Sequence, residues 1–248
     1  MAKTAEKSPE VAWVAGVGAS SGLGAAVARR FARGGLTVVV SGRTAERLDA
    51  VVAEIRAAGG VAVAAPADVS REDQVVATLA KVAEHGTLRA AVFNPAEGER
   101  APSLELSVAA FEQAWRTSTL GGFIFGREVL RTFLPTGRGT LLFTGATASL
   151  RGRPPFGAFA SAKAGLRSLS QTFAREFGPR GIHVAHLVID GGIDGERLRS
   201  RNPQRAVDAG PDGLLDPDAI AEVYWQVHAQ PRSTWTQELD LRPYKESF

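Results

Sequence analysis

The chain has 248 residues, enough for one sizeable hydrophobic core, and α/β folds commonly reach this length as a single domain. Its 29 Lys and Arg residues nearly balance 26 Asp and Glu residues and are spread along the sequence, which argues against a nucleic-acid partner. With no cysteine, disulfides and thiolate metal sites are excluded, and we expect no bound metal. No apolar run approaches the ~20 residues of a membrane span, so we expect a soluble, cytoplasmic protein without a membrane partner.

The stretch 11–31, VAWVAGVGASSGLGAAVARRF, contains an apolar run, a glycine-rich turn and an alanine-rich segment with apolar residues at helical spacing. It predicts a strand, a turn and a helix. Apolar runs and segments of helical periodicity then alternate through the chain. Further strands are predicted at 36–41, 61–65, 88–93, 140–144, 182–189 and 238–241, and helices at 44–57, after 70, at 107–133, 159–177 and 217–229.

Local signals refine two helix starts. Ser70 with Asp73 resembles a capping box, and Asp216 followed by Pro217 predicts an N-cap and the first helical residue. The predicted helix 107–133 is interrupted by a glycine pair, which suggests close packing there. It places three apolar residues on one face: Val108, Phe111 and Trp115.

The alternation of strands and helices implies right-handed crossovers. We therefore predict an α/β fold with a single doubly wound, Rossmann-like parallel β-sheet and helices on both faces. One domain is expected over residues 11–248, after a flexible tail at 1–10. The segment 191–215 is rich in Gly, Arg, Asp and Pro, and we predict that it forms a mobile substrate loop.

The glycine-rich turn predicts a cradle for a dinucleotide. Gly18, Gly22 and Gly24 fit the spacing GxxxGxG, whereas the alternative GxGxxG fails at Ser21. Without a Cβ, glycine allows a sharp turn and a close approach to pyrophosphate, which the amides at the start of the helix would face. Ser20 and Ser21 can bond to phosphate, although serine also favours such turns for local reasons.

The end of the second predicted strand indicates which dinucleotide. An acidic residue there would bind the ribose hydroxyls of NAD(H), but the strand ends in Ser41, Gly42 and Arg43. A guanidinium suits a 2′-phosphate, so NADP(H) is favoured. Asp68 and Val69 follow the third strand, where they either contact adenine or form an ordinary turn.

Over about residues 12–194, the chain resembles the short-chain dehydrogenase/reductase superfamily in the order and spacing of its motifs. These motifs are the glycine turn, Arg43, Asp68, Asn94 and the helix beginning FASAKAGL. This resemblance implies a nicotinamide cofactor, a small-molecule substrate, and homodimers or homotetramers paired through the helices 107–133 and 159–177. It also implies which residues bind the cofactor, here NADP(H): Gly18, Ser20, Ser21, Gly22, Leu23, Gly24, Arg43, Asp68, Val69, Asn94, Lys163, Gly191 and Ile193.

The catalytic positions depart from the family pattern. The family's tyrosine and lysine stand four residues apart, and the matching residues here are Phe159 and Lys163. By the same resemblance, Ala146 replaces the catalytic serine and Ser118 replaces a helix asparagine. Phenylalanine has no exchangeable proton, whereas Lys163 lies on the same helical face and is expected to reach the ribose.

Two carboxylates appear where the family has neutral residues. Glu97 and Asp190 lie in loops at the carboxyl ends of strands, where ligands bind in open α/β sheets, and they are expected to favour a cation or to donate a proton. This favours hydride transfer to a cyclic imine, which is electrophilic once protonated and needs no tyrosine. Reduction of a ketone or activated C=C, with a proton from water, Lys163 or a carboxylate, remains open. So does binding of NADP(H) without turnover.

Two further groups of residues carry weaker signals. Four arginines in the loop 191–215 suit either an acidic substrate or a solvated surface: Arg197, Arg199, Arg201 and Arg205. His183 and His186 are three apart on a predicted strand, so they face opposite sides of the sheet and are not expected to share a metal.

Overall fold

The structure, a computed structural model, describes residues 8–246. Its strands are β1 Glu10–Ala15, β2 Thr37–Ser41, β3 Ala62–Ala64, β4 Thr87–Phe93, β5 Gly139–Thr144, β6 Ile182–Ile189 and β7 Glu238–Leu241. Its α-helices are α1 Leu23–Arg33, α2 Ala45–Ala57, α3 Glu72–Glu84, α4 Val108–Trp115, α5 Gly121–Phe133, α6 Gly157–Phe177, α7 Glu196–Arg201, α8 Pro203–Ala209 and α9 Pro217–His228.

The strands form one parallel sheet in the order β3-β2-β1-β4-β5-β6-β7. The order reverses direction between β1 and β4, so the predicted doubly wound fold is confirmed. In such sheets a crevice opens beyond the carboxyl ends of the two strands at the reversal. The carboxyl ends of β1 and β4 therefore mark the place to look for a ligand site.

Side chains of β1 alternate between the two layers of the core. Ala12 and Val14 pack against residues of α1, α2 and α9, whereas Val11, Trp13 and Ala15 pack against residues of α3, α5 and α6. Burial on both faces explains why the strands are apolar without a polar alternation. No helix within residues 8–246 is both long and apolar enough to cross a bilayer.

Several local predictions need correction. The capping box at Ser70 is wrong: Asp68 Oδ1 accepts from both the amide and the hydroxyl of Ser70, and Arg71 is the N-cap of α3. Because Asp68 binds both donors of Ser70, Ser70 does not cap the helix.

The expected tail 1–10 is too long, since Glu10 already belongs to β1 and Pro9 O accepts from Thr87 N at 2.8 Å. Residues 1–7 lie outside the described part.

The predicted helix 107–133 contains a π-helical turn, Arg116–Leu120, between α4 and α5. The turn ends just before Gly121, so the interruption comes earlier than the glycine pair suggests. The apolar face predicted on α4 exists but is exposed: Val108, Phe111 and Trp115 are 83, 43 and 43% accessible.

The segment 191–215 was expected to be a mobile loop. It contains the helices α7 and α8, and a β-bridge joins Ile193 to Leu215.

Candidate active site at the carboxyl ends of the strands

The tight turn after β1 is made by Gly16, a residue outside the predicted glycine set. Gly16 has φ +82°, and a Cβ there would lie 2.5 Å from Pro95 N, so the position requires glycine. Gly24 allows α1 to pack on the turn, because a Cβ there would lie 2.8 Å from Gly16 O. Asn94 donates from Nδ2 to the same oxygen at 3.0 Å and thereby ties the end of β4 to the turn.

The start of α1 fits an anion. Gly22 is the N-cap and supplies no side-chain cap, and no acidic residue stands in the first turn, which leaves the amides of this end available. A Cβ at Gly18 would meet no atom within 4 Å in the described structure, so space remains beside the turn. Leu23 anchors the helix start in the core, where it is 5% accessible.

The two serines of the turn differ in their partners. The hydroxyl of Ser20 donates to Glu54 Oε1, so its proton is directed away from the turn. Ser21 Oγ accepts from the Glu196 amide at 3.0 Å, which leaves its own proton for another acceptor. Ser21 is therefore the better placed of the two predicted phosphate ligands.

Arg43 follows β2 and stands at the rim of the crevice. Its side chain is 63% accessible, and Nη1 lies 3.3 Å from Glu97 Oε2. The same carboxylate oxygen accepts from Thr117 Oγ1 at 3.1 Å. Glu97 was expected to serve a cationic substrate, but here its carboxylate is shared between a guanidinium and a hydroxyl.

Asp68 and Val69 have mainly local contacts. Asp68 Oδ1 accepts from the amide and the hydroxyl of Ser70 and so forms a turn. Val69 is 7% accessible and lies against Gly121, where a Cβ would be 3.1 Å from Val69 Cγ2. This contact explains why glycine opens α5.

Lys163, on α6, is the central ionisable group of the crevice. Its side chain is 1% accessible, and Nζ donates to Thr144 O at 2.8 Å and to Pro95 O at 3.3 Å. Burial, with a contribution from the positive charge of Arg197, lowers the pKa of Lys163 to about 7. The amine therefore loses its proton at a lower pH than a solvent-exposed lysine does.

The other predicted catalytic positions carry little proton chemistry. Phe159 lies one turn before Lys163 and packs against the loop after β4, where a Cβ on Gly98 would lie 2.8 Å from Phe159 Cβ. Ala146 N donates to Ser149 Oγ at 3.0 Å. Ser118 lies in the π turn, and its buried Oγ has no partner among the described residues.

Asp190 does not present a free carboxylate to the crevice. It is completely buried directly after β6, and Thr147 Oγ1 donates to its Oδ1. The guanidinium groups of Arg151 and Arg242 both lie 3.5 Å from Oδ2. The expectation that Asp190 favours a cation is therefore corrected: two arginines offset its charge, and it fastens three segments together.

The segment after β6 covers the glycine turn. Gly191 has φ +153° and lies against Pro243, while a Cβ on Gly195 would lie 2.8 Å from Ser21 O. Arg197 Nη1 donates to Ala96 O at 3.3 Å. These contacts draw α7 across the crevice.

A cavity of about 440 Å³ opens beneath α7 and is lined by Glu97, Gly98, Glu99, Arg100, Arg197 and Arg201. The arginines of the loop 191–215 therefore do not all lie in one place. Arg197 and Arg201 face this cavity, whereas Arg199 pairs with Asp194, its Nε 2.6 Å from Oδ1. Three arginines and two glutamates line the cavity, and one of those glutamates, Glu97, is already paired with Arg43.

Sequence patterns did not single out several partners. Arg151 and Arg242 come from distant segments, and only the β6–β7 register, with Ile189 opposite Leu241, places Arg242 beside Asp190. Tyr224 lies outside the family's tyrosine–lysine motif, yet its hydroxyl is 2.7 Å from Thr144 Oγ1, and burial raises its pKa. The LDLRP sequence near the C-terminus was the available signal for Arg242.

The histidines of β6 have separate partners. His183 Nε2 lies 2.8 Å from Thr236 O, and His186 Nδ1 lies 2.9 Å from Glu238 Oε2. Within residues 8–246, no group of three His, Asp or Glu side chains is arranged to hold a metal ion.

Together, the sheet order, the glycine turn at the strand-order reversal and the uncapped start of α1 fit a bound dinucleotide and define a nucleotide-binding α/β protein. The short chain dehydrogenase family model matches residues 12–206. The chain therefore belongs to the short-chain dehydrogenase/reductase superfamily, a family of oxidoreductases that use a nicotinamide cofactor.

Individual relatives agree with this assignment. The chain is 32% identical over 169 residues to 2-dehydro-3-deoxy-D-gluconate 5-dehydrogenase of Formosa agariphila, covering 67% of this chain and 64% of that enzyme. It is 30% identical over 172 residues to gluconate 5-dehydrogenase of Gluconobacter oxydans, covering 69% and 67%. A short-chain dehydrogenase structure from Rhodopseudomonas palustris is 41% identical, with a TM-score of 0.81 and coverage of 95% and 99%.

Proposed function

We propose that this chain is an NADP(H)-dependent reductase that converts a small, acid-bearing ketone into a secondary alcohol, with Lys163 giving up the proton. The observation that carries the proposal is the state of Lys163. Its Nζ is buried between two backbone carbonyl oxygens, and its pKa is lowered to about 7. General acid–base catalysis works best when the pKa of the group lies near the operating pH.

The cofactor proposal rests on the rim of the crevice. The end of β2 offers Arg43 and no carboxylate, and its guanidinium is accessible enough to meet a 2′-phosphate. The start of α1 would hold the pyrophosphate, and Lys163 would lie at the ribose. A metagenomic short-chain oxidoreductase that is 25% identical to this chain was solved in complex with NADP, which supports the same choice.

The chemistry assigns a distinct task to the lysine. When bound, a reduced nicotinamide would supply the hydride that adds to the ketone carbon. Lys163 Nζ gives its proton to the ketone oxygen and becomes a neutral amine. In the reverse direction, the neutral amine takes the proton from the alcohol, so Lys163 serves as the base.

The preference for an acidic substrate rests on charge. Arg100, Arg197 and Arg201 line the cavity under α7, and an anionic group on the substrate would meet them there. Both curated relatives described above are named for sugar acids, which is consistent with this preference. The substrate-loop role proposed for 191–215 agrees with the position of α7 over the cavity.

Imine reduction, which the sequence favoured, becomes the second candidate, and one observation supports it: Phe159 offers no proton, and a protonated imine needs none. Its electrostatic support is weaker than the sequence suggested. Glu97 lies against Arg43, and Asp190 lies against two further arginines. The positive charge of these arginines weakens the attraction of each carboxylate for a cationic substrate.

The test is NADPH oxidation with a panel of three substrates: a 5-keto sugar acid, its neutral keto-sugar analogue and a cyclic imine. We expect turnover of the keto acid, slower turnover of the neutral ketone, and loss of ketone turnover in Lys163→Met. Faster turnover of the imine would establish the second candidate. Tight NADPH binding with no oxidation across the panel would instead indicate a binding protein.

We also propose that the chain pairs into a homodimer or homotetramer through α4, α5 and α6. Apolar side chains remain exposed on this face at Val108, Phe111, Trp115 and Phe123. Large apolar side chains exposed on two consecutive helices are typical of an interface between subunits.

A further inference from the structure

A second cavity lies at the opposite end of the sheet. It has a volume of about 260 Å³, and its lining includes Glu10, Arg89, Arg138, His183, Arg232 and Trp235. His183 stands near the start of β6, whereas Asp190 and the crevice follow its end. At a rise of about 3.3 Å per residue, the two ends of this eight-residue strand are roughly 23 Å apart.

Positive charge dominates this cavity. Arg89, Arg138 and Arg232 contribute three guanidinium groups, and Glu10 contributes the single carboxylate of the lining. Glu10 Oε1 accepts from Arg89 Nε at 3.2 Å, but the buried Nη1 of Arg89 has no hydrogen-bond partner among the described residues. A buried, unpaired guanidinium nitrogen favours an anion as its partner.

The histidines of the lining are neutral and so do not add to this charge. Burial lowers the pKa of His183, and it lowers the pKa of His228 to about 4. Because Thr236 O can only accept, His183 donates to it from Nε2. Its Nδ1 is then an acceptor, and this buried atom also has no partner among residues 8–246.

Aromatic side chains form part of the cavity wall. The imidazole of His183 stacks on Trp235 with ring centroids 4.8 Å apart and an interplanar angle of 1°. Gln230 holds this corner in place, because its Oε1 accepts from Thr236 N at 2.7 Å and its Nε2 donates to Thr236 Oγ1 at 2.8 Å. Trp225 supplies a second indole, already fixed by Arg30, whose guanidinium lies 4.4 Å from its ring centroid.

We propose that this cavity is a binding site for a small aromatic hydroxy-carboxylate, distinct from the cofactor crevice. The carboxylate would pair with Arg89 Nη1 and with Arg232 at the rim, the ring would lie along the indoles, and the hydroxyl would donate to His183 Nδ1. A volume of 260 Å³ suits a single substituted ring and is too small for a dinucleotide.

The test uses 4-hydroxybenzoate as the probe and protein labelled with 5-fluorotryptophan. The chain has four tryptophans, of which Trp225 and Trp235 line the cavity while Trp13 and Trp115 do not. We expect saturable shifts of the fluorine resonances of Trp225 and Trp235 alone, with a Kd of roughly 1 mM or tighter. Saturating NADP+ should leave this Kd unchanged.

Matched ligands and variants decide the outcome. 4-Hydroxybenzamide, which lacks the charge, and benzoate, which lacks the hydroxyl, should both bind at least ~5-fold more weakly. Arg89→Gln should weaken binding by about 10-fold or more, and the exposed Arg232→Gln gives the same test if Arg89→Gln does not fold. Arg175→Gln, on the surface of α6, is the control and should bind normally.

Four results would each overturn the proposal. The first is the absence of a saturable shift at Trp225 and Trp235 up to about 10 mM probe. The others are binding that is equal for acid and amide, binding that is unchanged in both arginine variants, and binding that NADP+ abolishes. None of these outcomes depends on turnover, so the proposal can fail while the proposed reductase activity stands, and the reverse also holds.

Discussion

The buried state of Lys163 makes a quantitative prediction about stability. Burial lowers its pKa from 10.5 to about 7 in the folded chain. Between these two values the unfolded chain binds a proton that the folded chain does not, so the free energy of unfolding rises with pH. The slope is about 1.4 kcal/mol per pH unit, and the full effect is about 5 kcal/mol.

The perturbation is Lys163→Met, which keeps a long side chain but cannot titrate. Losing the bonds to Thr144 O and Pro95 O adds a constant destabilisation, whereas the pH-dependent part disappears. Urea unfolding at several pH values should therefore give a difference between wild type and variant that grows by about 3 kcal/mol from pH 7 to 9.5. Lys81→Met, which removes a bond to Ala64 O from a more exposed lysine, is the control and should keep the wild-type slope. Parallel wild-type and Lys163→Met curves would show that folding does not lower the pKa of Lys163.

Three further predictions concern the cofactor, the proton and the assembly. In fluorescence titrations, Arg43→Ala should weaken NADPH binding by about 10- to 100-fold and NADH binding far less. Glu97→Gln frees Arg43 and should tighten NADPH binding by about 2- to 5-fold. Equal losses of affinity for both cofactors would exclude a contact between Arg43 and the 2′-phosphate. Phe159→Tyr should raise ketone turnover by roughly 10²-fold or more but leave imine turnover nearly unchanged, and no gain with ketones would show that the proton does not limit the rate. Phe111→Asp on the exposed face of α4 should lower the molar mass measured by light scattering without loss of helical signal; an unchanged mass would place the interface elsewhere.

The fold could be predicted because its signals are local and repeated. Every predicted strand after the first exists to within one residue at each end, and the Asp216–Pro217 start of α9 is confirmed by the bond from Asp218 N to Asp216 Oδ1. Apolar runs bounded by turn residues leave few alternatives. The π turn at Arg116–Leu120 could not be seen, because a single i→i+5 turn barely disturbs helical periodicity.

The site was less predictable, because its chemistry depends on partners that only tertiary structure selects. A carboxylate such as Asp190 looks free in the sequence, and β-strand register then places Arg242 beside it. The same holds for Glu97 and Arg43, which are 54 residues apart. The pKa of Lys163 depends on complete burial, which the α6 sequence alone does not specify.

The pH dependence of kcat, measured in both directions, shows whether Lys163 exchanges the proton of a carbonyl reaction. With saturating NADPH and keto acid, kcat should fall above about pH 7, because the charged amine is required. With NADP+ and the alcohol, kcat should rise through the same pH, because the neutral amine is required. Both inflections should vanish in Lys163→Met. If the inflections persist in that variant, or if neither direction titrates near pH 7, Lys163 does not carry the proton.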